Sequence, residues 1–171
     1  EAAEASMRAM AQFDQLLVGA GTVLTVEQVD RAADAGARFA VSPGFNSNVV
    51  RRCQSINLPI FPGVSNPTDI EMALDHELQT VKFFPAEAFG GLPTLKAIAA
   101  PYRMMQFIPT GGINANNLAD YLAFTPVLAC GGSWMVKRDL YTNGDFGPVE
   151  RAARDAVKIV TRLTPTQQHQ H

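Results

Sequence analysis

Cysteine is scarce in this chain. Cys53 and Cys130 are the two it has, too few and too far apart for a disulfide-stapled fold, and their apolar surroundings suit buried free thiols. Histidine is nearly as sparse. His76 stands alone, and His169 and His171 fall in a polar end without thiol or carboxylate neighbours. Neither a metal-ligand cluster nor a Ser/His/Asp triad is expected from that distribution. Long apolar runs are missing as well: no stretch approaches the roughly 20 residues that span a bilayer. The opening residues mix acids with alanines and lack the basic start and apolar stretch of a signal peptide. Positive charge is not in excess, since 14 Lys and Arg against 16 Asp and Glu leave −2. Nothing global therefore attracts nucleic acid or an anionic membrane, and an anionic ligand must be held by a local site. A cytoplasmic home is expected.

What is present describes an ordinary globular protein: 171 residues, 47% hydrophobic and 18% charged, enough for one sizeable core. Short apolar runs alternate with longer amphipathic segments. Strands are expected over residues 16–23, 39–42, 59–64, 80–84, 105–109 and 127–130. Helices are expected over 2–13, 27–37, 47–55, 67–77, 92–100, 117–124 and 150–163, the last burying Val157, Ile159, Val160 and Leu163. Thr25 and Asn66 suit N-caps, Pro67 suits a first helical turn, and Gly36 a helix end.

Apolar strands alternating with helices imply an α/β fold of parallel strands covered by helices. An open doubly wound sheet and a closed barrel both fit that order. Unusual residues recur at every strand end, around Thr22, Ser42, Gly63, Lys82, Gly111 and Gly132. A TIM (β/α)8 barrel, whose strand ends meet at one mouth, explains that spread better than a single switch point does. Six strands fall short of eight, so one or two βα units are expected ahead of Glu1. Residues 1–163 would then form a single barrel domain, incomplete on its N-terminal side, with 164–171 as a flexible polar tail.

Lys82, in the run VKFFPAE (81–87), is an odd residue for an apolar strand, because burying an ammonium is costly unless it is neutralised or paired. Pointing inward, it would have a lowered pKa and offer a neutral amine, as a Schiff-base nucleophile requires. Otherwise it reaches solvent from the strand end. Glu87 either orients Lys82 or sits exposed in a loop. Two glycine pairs follow the last two strands, in PTGGI (109–113) and CGGSW (130–134). Such pairs let backbone N–H groups approach an anion, and this is where barrels seat a phosphate. Ser133 can add a hydroxyl. GAGT (19–22) lacks the third glycine and later acid of a dinucleotide fingerprint, so a Rossmann reading is rejected. Thr22 could donate to a substrate carboxylate or simply shape a turn. Ser42-Pro43-Gly44 and Phe61-Pro62-Gly63 would shape the mouth, and Phe84 would line a substrate or fill the core.

Taken together, GAGTVL (19–24), SPG (42–44), FPGV (61–64), VKFFPAE, PTGGI and GGSW (131–134) resemble the family of 2-keto-3-deoxy-6-phosphogluconate (KDPG) and 4-hydroxy-2-oxoglutarate (KHG) aldolases. The KFFPAE segment is the most specific part. The resemblance implies a class I lyase of the Entner–Doudoroff pathway that splits a phosphorylated keto acid into pyruvate and glyceraldehyde 3-phosphate. It makes Lys82 the Schiff-base lysine and Thr22 a carboxylate ligand, sets Phe84 against the reacting carbons, and lines the phosphate end with Thr110, Gly111, Gly112, Gly132 and Ser133. It also implies a homotrimer that needs no metal or cofactor. The family's catalytic glutamate and carboxylate-binding arginine would precede Glu1.

Other readings remain open from the residues. KHG or the galactonate epimer of KDPG could be the substrate. A phosphosugar isomerase or epimerase on the same barrel would use carboxylates and form no imine. A non-catalytic phosphate-binding barrel would cleave nothing.

Overall fold

Three helices of this chain start where a short polar side chain takes up the free N–H groups of a first turn. In the computed structural model, which describes residues 2–142 and 144–163, Thr25 accepts from Gln28 N, Asn46 from Asn48 N and Val49 N, and Asn66 from Asp69 N. These caps open α2 (Val26–Asp34), α3 (Ser47–Ser55) and α4 (Pro67–Asp75), and α1 (Ala2–Met10) precedes them. Pro67 occupies the first turn of α4, where its missing N–H costs nothing. The described residues divide after Phe84 into two compact units. The expected polar tail, 164–171, with His169 and His171, lies outside the described residues.

The first unit holds α1 to α4 and five short strands: β1 (Gly19–Ala20), β2 (Phe39–Val41), β3 (Ile60–Phe61), β4 (Gly63–Val64) and β5 (Thr80–Phe83). β1, β2 and β3 pair in parallel, with Ala20 opposite Ala40 and Ala40 opposite Ile60. β4 pairs in parallel with β5 and sets Gly63 opposite Lys82. The core beneath β1 to β3 is built from small and branched side chains, among them Val29, Ala40, Val49, Val50 and Cys53. Cys53 is a buried free thiol, and burial raises its pKa to about 11. His76 is half-buried; its Nδ1 lies 2.9 Å from the Met72 carbonyl, and its ring meets Phe45 edge-on. The second unit holds α5 (Gly91–Ala99), β6 (Gln106–Pro109), α6 (Leu118–Leu122) and α7 (Gly147–Leu163).

The expected TIM (β/α)8 barrel is overturned. The described residues form six strands of two to four residues, too few for one closed ring of eight. Two prolines account for part of the difference. Pro62 has no N–H to give a ladder, so the strand expected at 59–64 breaks into β3, which faces β2, and β4, which faces β5. The strand expected at 127–130 follows Pro126 and engages only through single parallel bridges, Phe107 to Val127 and Thr110 to Gly131. What stands is an α/β chain with parallel pairing. The expected apolar face of α7 is also corrected. Val157 is 62% exposed, with Val160 and Leu163 exposed beside it, whereas Ala156 is the buried residue and Ala152, Ala153 and Ile159 are half-buried on its side. Small alanines let this helix lie close to its neighbours, and the bulkier valines point out. No helix among the described residues is long and apolar enough to cross a membrane.

The two proline-glycine turns of the first unit meet. A Cβ on Gly63 would strike the Pro43 carbonyl and the Gly44 nitrogen, so only a glycine lets the loop after β2 lie across β4. Backbone cannot swing aside as a side-chain tip can. Gly63→Ala is expected to destabilise the protein by about 1–3 kcal/mol, the usual range for overpacking. Urea unfolding checks this, and an unchanged midpoint would show that the turn gives way.

Candidate active site

Successive side chains of a strand point to opposite faces, so Val81 and Phe83 share one side of β5 while Thr80 and Lys82 share the other. Val81 and Phe83 are fully buried. Lys82 is only 9% exposed, and its ammonium stands 4.4 Å from the centre of the Phe84 ring, two residues along on the same face. Its backbone N–H donates to the Pro62 carbonyl at 2.9 Å, which ties the lysine to the turn before β4. Among the described residues no carboxylate pairs with Lys82. Burial without an anionic partner lowers its pKa from the ordinary 10.5. A nucleophilic amine is the chemistry this favours.

Thr22 is exposed and lines a cavity of about 370 Å³ with Gly19, Gly21 and Gln28. Glu4 and Arg31 close one side of that cavity as an ion pair between α1 and α2, with Arg31 Nε donating to Glu4 Oε1 at 2.6 Å.

In the second unit the two glycine pairs lie side by side. The Thr110–Gly131 bridge joins them, and a Cβ on Gly131 would fall 2.6 Å from Thr110 Oγ1. Gly111 and Gly112 have φ of +100° and +82°, the left-handed region that glycine enters without penalty. The carbonyls of this loop are all engaged. Thr110 O accepts from Ala86 N at 2.9 Å and Gly111 O from Glu87 N at 3.1 Å. Gly112 O accepts from the amides of Asn114 and Asn117, each at 3.1 Å. In a trans peptide the N–H points away from its carbonyl, so the N–H groups of Gly111, Gly112 and Ile113 are turned away from these anchors. None of the three donates to a partner among the described residues. Backbone N–H groups turned outward in this way can receive an anion. Gly132 packs on the Trp134 ring, and Ser133 is exposed ahead of a 3-10 turn over Trp134–Val136.

Asn114, Asn117 and Tyr121 escape sequence reasoning. The asparagines anchor the glycine loop, and their signal was the polar run INANN straight after the glycine pair. Glu87 does not need Lys82 as a partner: it accepts a hydrogen bond from Tyr121 Oη at 2.5 Å. Cys130 is a free, half-buried thiol, and burial raises its pKa to about 11, which makes it a poor nucleophile at neutral pH. Among the described residues no group of three His, Cys, Asp or Glu could hold a metal ion.

Comparisons with known proteins agree with this chemistry. Residues 1–152 match the family model described as KDPG and KHG aldolase. The 2-dehydro-3-deoxy-phosphogluconate aldolase of Treponema pallidum (strain Nichols) is 50% identical over 159 residues, which cover 93% of this chain and 76% of that protein. The KHG/KDPG aldolase of Escherichia coli (strain K12) is 42% identical, with 92% and 75% covered. A crystal structure of KDPG aldolase from Legionella pneumophila, with pyruvate captured as a covalent carbinolamine, superposes with a TM-score of 0.84 at 34% identity. It covers 91% of this chain and 75% of that one. The chain belongs to the KDPG and KHG aldolase family.

Proposed function

We infer that this protein is a class I aldolase that cleaves 2-keto-3-deoxy-6-phosphogluconate to pyruvate and glyceraldehyde 3-phosphate. The observation that carries the reading is Lys82: a nearly buried lysine of lowered pKa on β5, in a chain of this family. The carbinolamine in the Legionella pneumophila relative is the intermediate such an amine forms with pyruvate. Neutral Lys82 Nζ attacks the C2 ketone, and loss of water leaves a protonated imine. A base removes the C4 hydroxyl proton, the C3–C4 bond breaks, and its electrons pass into the imine. Glyceraldehyde 3-phosphate leaves. The enamine takes a proton at C3, and hydrolysis frees pyruvate and the amine.

The remaining roles follow the same reading. Phe84, already against the Lys82 ammonium, packs on the reacting carbons. Thr22 donates to the keto-acid carboxylate. Thr110, Gly111, Gly112, Gly132 and Ser133 hold the phosphate, which supplies binding energy remote from the bond that breaks. The E. coli relative's name joins KHG to KDPG, so both are the substrates to assay. A cytoplasmic homotrimer goes with the family reading, and the exposed Phe13, Leu17 and Phe146 give apolar surface for subunits to cover.

Incubation with pyruvate and borohydride, followed by peptide mapping, is the direct test. A reduced pyruvate adduct on Lys82 is expected, and a folded, active protein that gives none would end the imine scheme in favour of carboxylate chemistry. Trapping should accelerate as pH rises, with a midpoint below 10.5, because burial makes the neutral amine available early. A midpoint at or above that value would contradict the burial argument.

Stability should respond to pH in the same sense as trapping. The folded protein holds the Lys82 proton less tightly than the unfolded chain does, so the charge costs stability below the folded pKa. That cost shrinks as pH rises through the folded pKa and is gone above 10.5. Lys82→Met is therefore expected to lose the adduct and all turnover, yet melt no lower than wild type at pH 7. A large fall in its melting temperature would show that the lysine stabilises the fold.

A further inference from the structure

The Glu87 side chain passes close to the glycine loop and ends on a buried tyrosine. Its Cβ and Cγ stand where a side chain on Gly112 would have to go, with the Cβ 2.5 Å from that position. Its Oε1 accepts from Tyr121 Oη at 2.5 Å, and its own N–H donates to the Gly111 carbonyl. Tyr121 is 1% exposed, so its hydroxyl needs a partner inside the protein. Burial first, and then the Glu87 carboxylate, raise the tyrosine pKa, which keeps the hydroxyl a donor throughout the working pH range. Glu87 itself is exposed and hence replaceable without emptying the core.

We propose that Glu87, held by Tyr121, is a positioning residue that sets the Gly111–Gly112 backbone for the substrate phosphate, a role that rests on the phosphate-binding function given to this loop. Two links act together. The Glu87 N–H fixes the Gly111 carbonyl, which aims the Gly112 N–H away from the anchor. The Glu87 side chain fills the space beside Gly112 and is kept there by Tyr121. Freed from the hydroxyl, the side chain would swing into solvent and the loop would sample other conformations. Affinity for the phosphate would fall while the amine chemistry at Lys82 continued.

The test compares wild type with Glu87→Ala, Glu87→Gln and Tyr121→Phe in the intact protein. KM and kcat are measured for KDPG and for 4-hydroxy-2-oxoglutarate, which has no phosphate. The rate of pyruvate trapping by borohydride and competition by inorganic phosphate are measured alongside. Glu87→Ala and Tyr121→Phe are expected to raise KM for KDPG about tenfold, the effect of losing a hydrogen bond to a charged group. Their kcat, their KHG kinetics and their trapping rate should stay near wild type. Glu87→Gln, which keeps an oxygen acceptor for Tyr121, should restore most of the KDPG affinity. An unchanged KM for KDPG, or an equal rise for both substrates, would overturn the proposal. Should Tyr121→Phe fail to fold, Glu87→Ala at an exposed position gives the same comparison. Failure of the phosphate reading has its own signature: wild type would bind both substrates alike and ignore inorganic phosphate.

Discussion

Placing a lysine ammonium inside an apolar strand is the constraint on which the first unit turns. Two influences act on Lys82 in opposite directions. The Phe84 ring favours the cation, by about 0.5–2 kcal/mol for such a contact. Removal from water disfavours it, by several kcal/mol for an ion that burial leaves unpaired. Desolvation is the larger, which is why the lysine pKa falls. The strand can hold such a residue only where neighbours on all sides are fixed. Val81 and Phe83 lock one face of β5 into the core, and the Pro62 carbonyl fixes the lysine's backbone. Gly63, opposite Lys82, admits the Pro43–Gly44 turn. The glycine and prolines that look like loop punctuation in the sequence are therefore part of the support of Lys82.

Local structure was legible where a single residue type determines it. Thr25 and Asn66 accept the N–H groups that their positions in the sequence suggest, and the helices begin there. How the strands associate was not legible, because pairing depends on residues that are distant in sequence. Pro62 is an example. Within the apolar run 59–64 it reads as a residue of one strand, and only the pairing of β3 with β2 and β4 with β5 shows it as a break between two. The face of α7 misled for a related reason. A valine stripe ordinarily marks a core face, but here the alanine side is the more buried one, since small side chains permit closer helix packing than branched ones do.

The same division runs through the site. Lys82 stood out because it broke a pattern, and residues that break patterns at a cost are the ones sequence reasoning finds. The glycine pairs stood out because their conformational freedom is visible in one letter. Their anchors did not. Glu87 and Tyr121 lie 34 residues apart, and neither letter is unusual where it stands: a glutamate near a loop and a tyrosine on a short helix. Asn114 and Asn117 were equally ordinary. Their role follows from which carbonyls need partners, and that requires the folded backbone.

On the proposed reading, a backbone phosphate site and a side-chain nucleophile also differ in how they can change. As the imine-forming residue of the proposed reaction Lys82 would be irreplaceable, since no other side chain both forms an imine and loses its proton readily on burial. The loop at Gly111 and Gly112 offers N–H groups that every residue but proline has, so any phosphate recognition by it would reside in its conformation. Substitutions that alter substrate preference need not touch the loop: a change at Glu87, Asn114, Asn117 or Tyr121 would retune it from behind. Imine chemistry asks only for a 2-keto acid, whereas on the proposed reading a phosphate would add affinity through a separate set of backbone donors. A family whose members carry both KDPG and KHG in their names is what such a separation would produce, because the shared step would need the lysine and the difference between the two substrates would fall on the loop.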